Sequence, residues 1–468
     1  MDKGLFLEMW KGIKELFEVT FKKYDKLWIE RERKIDTQFL VLFIFRLVIP
    51  KDERGYANTL LEIFNNFLNN GLLDMPRSLA ASSVCEARTK LDPEIFRELN
   101  EGIIKIWDHY NKEPPLWHGL RLYGVDGSKL LLPRELLKYG FKKEGKHVHY
   151  PHGLLSSVYD LLTGIPHDYC FVNHGNERAC VLEHLKKGVN PALYVHDRGY
   201  FCFELLSTYT AANKDVLFRL QKKSRIKVID DFWESNKTDI EVLVSPPEKL
   251  MRKVKKGLCK VQLDPIRVRL IKYMINDQTY VLLTTLRDKE KYPENCFQEA
   301  YHLRWGHEEM LKVSKLITGV TDFHSKTERG IRQELYAHFV IITLLKIVES
   351  QAHHKIEKKM SDKKIAPKRL RRLTNTVTER ASKKSTAESN LEGKRGIQMN
   401  RKTIFLLISW SLEKLVYWEP SEFIRDTVDY MVESAEKIYQ WFRPKRAYPR
   451  KSKTPPSKWW RGRKHAKA

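Results

Sequence analysis

The stretch Tyr301-His302-Leu303-Arg304-Trp305-Gly306-His307-Glu308-Glu309-Met310-Leu311-Lys312-Val313-Ser314-Lys315 decides how the rest of the chain is read. At about 100° per residue on a helix, Tyr301, Arg304, Glu308 and Lys315 fall within a sector of roughly 60°. Leu303, Met310, Val313 and Ile317 gather on the opposite side. That arc can pack on a core, while the other sets a phenol, a guanidinium, a carboxylate and an ammonium along about 21 Å of helix. A carboxylate flanked by cations suits a metal-dependent site acting on a phosphate backbone. Glu309, about 100° further round, is the weaker acid.

Such chemistry needs more than one carboxylate, and distant strands can deliver the others. Upstream of the helix the pattern becomes strand-like. Leu122 to Val125 precedes Asp126, and Lys129 to Leu132 follows. Gly153 to Leu162 and Ile165 to Val172 flank Thr163-Gly164, a hairpin signal. Glu177 to Lys187 reads as a helix, Ala192 to His196 as a buried strand, Phe201 to Ala211 as a helix and Val216 to Leu220 as a strand. Three strands and then strands alternating with helices describe a mixed sheet covered by helices. Asp126 and Asp197 each close one of these strands, 182 and 111 residues before Glu308. Taken singly, each has an ordinary alternative. Asp126 before Gly127 suits a turn, Asp197 suits a helix cap, and Glu308 suits a solvated pair with Arg304 or Lys312. Their co-occurrence in the right elements favours a joint site.

The spacing Tyr-x2-Arg-x3-Glu-x6-Lys resembles the YREK signature of the bacterial type-four insertion-sequence transposases, members of the DDE class. Val125-Asp126-Gly127-Ser128 and Asp197-Arg198-Gly199-Tyr200 look like that family's local motifs, and the resemblance covers about residues 120 to 340. It implies an α/β, ribonuclease-H-like mixed sheet, with Asp126, Asp197 and Glu308 as the catalytic, metal-holding triad. It also implies two Mg²⁺ ions, with Mn²⁺ as a substitute, because hard cations take oxygen ligands and keep water positions open. Arg304 and Lys315 would hold phosphates and Tyr301 would hydrogen-bond one near the cleaved bond, with core packing as the alternative for Tyr301. Trp305 would stack on DNA or pack, and Trp233 is a candidate to hold a flipped-out terminal base. The implied activity is cut-and-paste DNA transposition at terminal inverted repeats, by strand hydrolysis, hairpin formation and transfer to target DNA, within a homodimer on DNA. The alternatives are a catalytically inactive DNA-binding derivative and a nuclease of the same fold.

The composition agrees. Of 468 residues, 85 are Lys or Arg and 59 Asp or Glu, a net +26 that points first to nucleic acid. A hydrophobic share of 42% is enough for real cores and argues against global disorder. The apolar runs Phe39 to Pro50 and Phe339 to Val348 are too short to span a bilayer, so no membrane role is expected. The opening Met1-Asp2-Lys3-Gly4 has no signal-peptide pattern, and six cysteines occur without a Cys-x-x-Cys pair. Reduced thiols in a bacterial cytoplasmic, nucleoid-associated protein are expected.

Four regions follow. Residues 1–110 are expected to be helical, with Tyr56 to Leu72, Leu79 to Lys90 and a helix opening at Asp92-Pro93-Glu94 forming either a helix-turn-helix-like DNA reader or an ordinary bundle. Residues 120–345 form the catalytic domain, with a β-rich insertion over 222–296 whose strands include Val261-Gln262-Leu263. Residues 346–442 are helical, with a basic excursion over 355–402, and 443–468 are a basic tail expected to order only on nucleic acid. His147, His149 and His152 lack Cys or carboxylate partners at ligand spacing and read as polar residues of a strand. His196 and His307 neighbour triad members, and Gln333-Glu334 reads as helix packing or a phosphate contact.

Overall fold

The computed structural model describes residues 3–29, 34–49, 55–71, 79–145, 148–173, 175–187, 191–224, 226–258, 261–275, 278–304, 322–361, 397–399, 401–417, 420–423, 429–437 and 439–441. Five helices come first: α1 (Lys3–Trp28), α2 (Thr37–Val48), α3 (Tyr56–Asn69), α4 (Ala81–Lys90) and α5 (Glu94–Tyr110). Asp36 caps α2 by accepting the Phe39 N–H at 2.7 Å, and the helix behind it is apolar all round and buried. Asp92 accepts the Glu94 N–H at 2.9 Å at the start of α5. The buried residues of that helix, Ile95, Phe96, Leu99, Ile103 and Trp107, recur at helical spacing and make one stripe.

The sheet begins with β1 (Arg121–Leu131), β2 (His152–Asp160) and β3 (Pro166–Val172), an antiparallel meander. Its second turn needs Gly164, whose φ of +74° is left-handed and whose N–H reaches the Asp160 carbonyl at 2.7 Å. Helix α6 (Glu177–Lys187) leads to β4 (Ala192–His196), and α7 (Phe203–Ala211) leads to β5 (Asp215–Arg219). Both strands run parallel to β1. After α8 (Lys227–Glu234) come β6 (Asp239–Val244), α9 (Glu248–Lys255), β7 (Ile266–Ile275) and β8 (Gln278–Thr284). The described strands form one eight-stranded sheet in the order β3-β2-β1-β4-β5-β8-β7-β6, besides a separate pair at residues 397–399 and 439–441. Three antiparallel strands followed by two parallel ones make its first five strands ribonuclease-H-like.

Strand alternation divides the sheet's two faces. Tyr123, Val125, Tyr194, Val216 and Phe218 pack with Val181 and Leu185 of α6 and Leu206 of α7. On the opposite face, Leu122, Leu193, Val195 and Leu217 pack under α10, helical over residues 294–304. Next to them Leu155, Tyr159, Tyr169 and Phe171 enter the largest core, with α1–α5, α11 (Glu328–Ser361), α12 (Arg401–Trp410) and α13 (Leu412–Tyr417).

Several expectations change here. The β-rich insertion over 222–296 supplies β6 to β8, which extend the central sheet; two helices interrupt it, and 261–263 are not strand. The N-terminal helices share one core with α11–α13, which favours the bundle reading over a detached DNA reader. Arg88 of α4 shows how tightly. Buried, it donates to Gln333 Oε1 at 2.8 Å, Glu334 Oε1 at 2.7 Å and the Gly330 carbonyl at 2.8 Å. Gln333 returns its amide to the Arg88 and Leu91 carbonyls, so Gln333-Glu334 is a helix-packing joint. The basic excursion is in part structured, since α11 runs to Ser361 and 397–399 pair as a strand; residues 362–396 and 442–468 lie outside the described residues. Residues 148–150 are not strand, and His147 is outside the described residues. Within α11 the stretch Glu328–His354 is apolar and long enough to cross a membrane, yet 89% of its most apolar window is buried inside the protein, as a core helix would be.

Candidate active site

The site starts from a difference in strand length. The parallel β1–β4 ladder runs from Arg121 opposite Ala192 to Val125 opposite His196, and there β4 ends. β1 continues for six residues, paired with β2 through Asp126 opposite Ser157 and onward. Asp126 therefore does not close its strand, as the sequence suggested; it sits mid-strand, where the parallel partner stops. The next residue on each strand is an aspartate, Asp126 and Asp197. Residues in register on parallel strands share a face, and the strands lie about 4.8 Å apart. By alternation that face is the one beneath α10.

Both carboxylates reach water in part. Asp197 keeps 34% of its side-chain surface exposed, and Asp126 is half-buried. Asp126 Oδ1 accepts the Gly127 N–H at 2.9 Å. Asp197 Oδ1 accepts the Tyr301 hydroxyl at 2.9 Å and lies 3.9 Å from Arg219 Nη1. Burial alone would raise the Asp197 pKa, but the Arg198 N–H, the Arg304 charge, the Tyr301 hydroxyl and Arg219 together hold it below the usual carboxylate range. The group is an anion at neutral pH. His196, one residue earlier, is buried and bonded through Nε2 to the Tyr209 hydroxyl at 2.6 Å. Burial, with the charges of His184 and Arg304, pushes its pKa down to about 3, so a neutral ring backs the site.

α10 presents a different face from the one expected. Phe297, Ala300, Tyr301 and Arg304 are all buried, Arg304 and Tyr301 at 2% exposure each. Leu303, assigned to the apolar arc, is only partly buried. The reason lies one turn upstream: with Phe297 and Ala300 included, the i, i+3, i+4, i+7 stripe runs through Tyr301 and Arg304. The Arg304 guanidinium lies 5.4 Å from the Tyr301 ring centre, and that of Arg219 lies 5.9 Å from it and 4.6 Å from the Tyr280 ring. Tyr301 and Arg304 are packed beside Asp197 in this arrangement. Trp233 is half-buried against the core of the α6–α7 face with its indole N–H enclosed. Trp305, His307, Glu308 and Lys315 lie outside the described residues.

Residues 117–344 match the family model described as the transposase DDE domain. This stretch is similar to transposase DDE domains. It takes in β1 to β8, the helices between them and the first half of α11, and both aspartates fall inside it. A solved structure of a piggyBac transposase synaptic complex with hairpin DNA aligns at 12% identity and a TM-score of 0.37, over 82% of this chain and 83% of that one. No curated protein sequence matches.

DDE transposases use divalent metals, and the donor set here is compatible with one. Two half-exposed carboxylates on one face are hard oxygen donors of the kind Mg²⁺ prefers. Among the described residues no third carboxylate, histidine or cysteine joins them. Arg219 is the residue beside Asp197 that sequence reading missed. Its signal was positional, since it ends β5, the parallel neighbour of the strand that carries Asp197. Beside the overhang of β1 a cleft of about 400 Å³ is lined by Lys129, Lys142, Glu144 and His152, so this cleft and the carboxylates are neighbours along one strand but not the same place.

Proposed function

We propose that the protein is an insertion-sequence transposase of the type-four, YREK kind, which cuts DNA at the ends of its element and joins them to target DNA. The observation that carries this is the register of β1 and β4, which sets Asp126 and Asp197 side by side on one face under α10. Glu308 enters as the third carboxylate on its place in the sequence, four residues after Arg304. A pair of Mg²⁺ ions, or Mn²⁺, bound by these groups would lower the pKa of the attacking water or hydroxyl and stabilise the leaving oxygen. The chain's own part is to keep Asp197 ionised through Tyr301, Arg304 and Arg219, and to orient both carboxylates before DNA arrives. Lys315 and the exposed cations of the chain would hold the backbone, consistent with the net +26. Handling two ends at once calls for a dimer on DNA. An inactive descendant has no reason to retain two partly exposed carboxylates in register on neighbouring strands.

The test is incubation of the protein with labelled DNA carrying its element's inverted repeats, with and without Mg²⁺. Hairpin or strand-transfer products that vanish in Asp126→Asn, Asp197→Asn and Glu308→Gln are the expected result. Cutting that ignores the ends would make the protein a nuclease of the same fold. Metal-independent binding without cutting would make it a DNA-binding derivative.

A further inference from the structure

The ladder that places Asp126 and Asp197 stops one residue short of them. Beyond Val125 opposite His196 no backbone pairing joins β1 to β4 among the described residues, so the ladder alone does not fix the distance between the two carboxylates. Contacts from the first turn of α6, on the opposite face of the sheet, reach both segments. Arg178 Nη2 donates to the Gly199 carbonyl at 2.9 Å and to the Phe201 carbonyl at 3.3 Å, two and four residues after Asp197. Its neighbour Glu177 lies against Gly127, the residue after Asp126. A Cβ at Gly127 would sit 2.8 Å from both Cδ and Oε1 of Glu177, so the Glu177 side chain lies directly against the backbone there.

The same helix is anchored further along. His184 Nδ1 lies 2.6 Å from Asp168 Oδ2 on β3 and its Nε2 3.0 Å from Ser156 Oγ on β2, all three buried. At the start, Asn176 Oδ1 accepts the Ala179 N–H at 3.3 Å. α6 is therefore held to the sheet at one end while its other end touches the residues that follow each aspartate.

We propose that Glu177 and Arg178 are positioning residues for the metal-holding pair. Arg178 holds the turn after Asp197, Glu177 backs the strand after Asp126, and one rigid helix end sets the separation of the two carboxylates. This rests on the reading of Asp126 and Asp197 as metal ligands. Neither Glu177 nor Arg178 touches DNA or a reacting atom in this assignment; they act through the backbone.

The experiment is a Mn²⁺ titration of the full chain, with free Mn²⁺ read by electron paramagnetic resonance, on wild type, Arg178→Ala, Arg178→Lys and Asp126→Asn. Arg178 is exposed, so its truncation leaves the core intact. Arg178→Ala is expected to raise the Mn²⁺ midpoint about tenfold, the lower end of what loss of outer support around metal ligands costs. Arg178→Lys, which can reach one carbonyl, should fall between the two. Melting in EDTA and DNA affinity in EDTA should match wild type for both. A midpoint for Arg178→Ala within about twofold of wild type overturns the proposal while leaving the metal site intact. An equal loss of melting temperature in EDTA overturns it too, by making Arg178 merely structural. If wild type and Asp126→Asn bind Mn²⁺ alike, the metal reading itself fails and the positioning role falls with it.

Discussion

On one face of the sheet, Asp168, His184 and Ser156 form a chain of hydrogen bonds with the connectivity of an acid–base–hydroxyl triad. On the other, the register of β1 and β4 brings Asp126 and Asp197 to neighbouring positions on one face. The first group is the better drawn, and it is the one without access to substrate. Ser156 is fully buried and His184 is 2% exposed. Its protonation is also wrong for a base. Burial would lower the His184 pKa, but the hydrogen bond it donates to Asp168, with Cys170 nearby, raises it to about 9, so the ring is cationic at neutral pH. Asp168, which burial would push up, is held below the usual carboxylate range by His184, Arg97 and Lys187. The cluster is a bolt between α6, β3 and α5, where Arg97 reaches Asp168 at 3.1 Å. Connectivity does not make a site; exposure and the charge state of the groups decide.

The sharpest way to break this comparison is to neutralise one member of each group. Asp197→Asn should abolish metal-dependent cleavage of end-carrying DNA while the chain stays folded. Metal-assisted stabilisation is worth several kcal/mol, so the loss should be about a thousandfold or more, read as product per hour on labelled DNA. Asp168→Ala should do the reverse and cost stability first. It leaves the buried His184 and the part-buried Arg97 without their shared anion, and breaking such a pair costs about 3 kcal/mol or more in urea unfolding. A rate loss for Asp168→Ala as large as that for Asp197→Asn, at unchanged stability, would invert the assignment of the two clusters.

The bolt also carries a pH signature that the open pair should lack. A histidine whose folded pKa lies above its unfolded one stabilises the fold fully below the unfolded value, about 6.5, and loses that contribution as pH rises through the folded value. For His184 the window is therefore pH 6.5 to about 9. Unfolding free energy should fall across it by on the order of 2 kcal/mol, and His184→Gln should flatten that slope. Arg97 faces the same carboxylate, and although burial opposes it, the charges of Asp168 and Glu94 raise its pKa, so it does not supply the slope.

Much of the scaffold was legible because local signals and tertiary demands agree. α6 carries Glu177 in its first turn and His184, Lys186 and Lys187 in its last, matching the helix dipole, and both its ends fall where expected. β4 is an apolar run stopped by Pro191 on one side and Asp197 on the other, and its bounds also hold. What the sequence did not show depends on partners far along the chain. Nothing local tells that β8, and not β6, lies beside β5, because strand order is settled by packing. Nothing local tells that Arg304 is buried, since a guanidinium reads as solvent-facing until Asp197, some hundred residues away, and the Tyr301 ring are brought beside it. The Asp168–His184 bond likewise joins β3 to α6, and neither residue stands out in its own element.

The smallest effect tests the residue whose role changed most. Tyr301→Phe deletes one hydroxyl and keeps the ring that packs in the core beneath α10 and beside the guanidinium groups of Arg219 and Arg304. Asp197 then loses a hydrogen bond of 2.9 Å while the Arg198 N–H, Arg304 and Arg219 remain beside it. The expected cost is about 1 kcal/mol of stability and about a tenfold drop in cleavage, far less than for Asp197→Asn, because the carboxylate survives but turns more freely. DNA affinity measured in EDTA separates this from the phosphate contact read from the signature. A tyrosine that only orients Asp197 leaves that affinity unchanged, whereas one that grips the backbone weakens binding even where no cleavage can occur. A fall in metal-free affinity for Tyr301→Phe would therefore return its hydroxyl to the DNA, and α10 would have to turn its buried face outward when DNA binds.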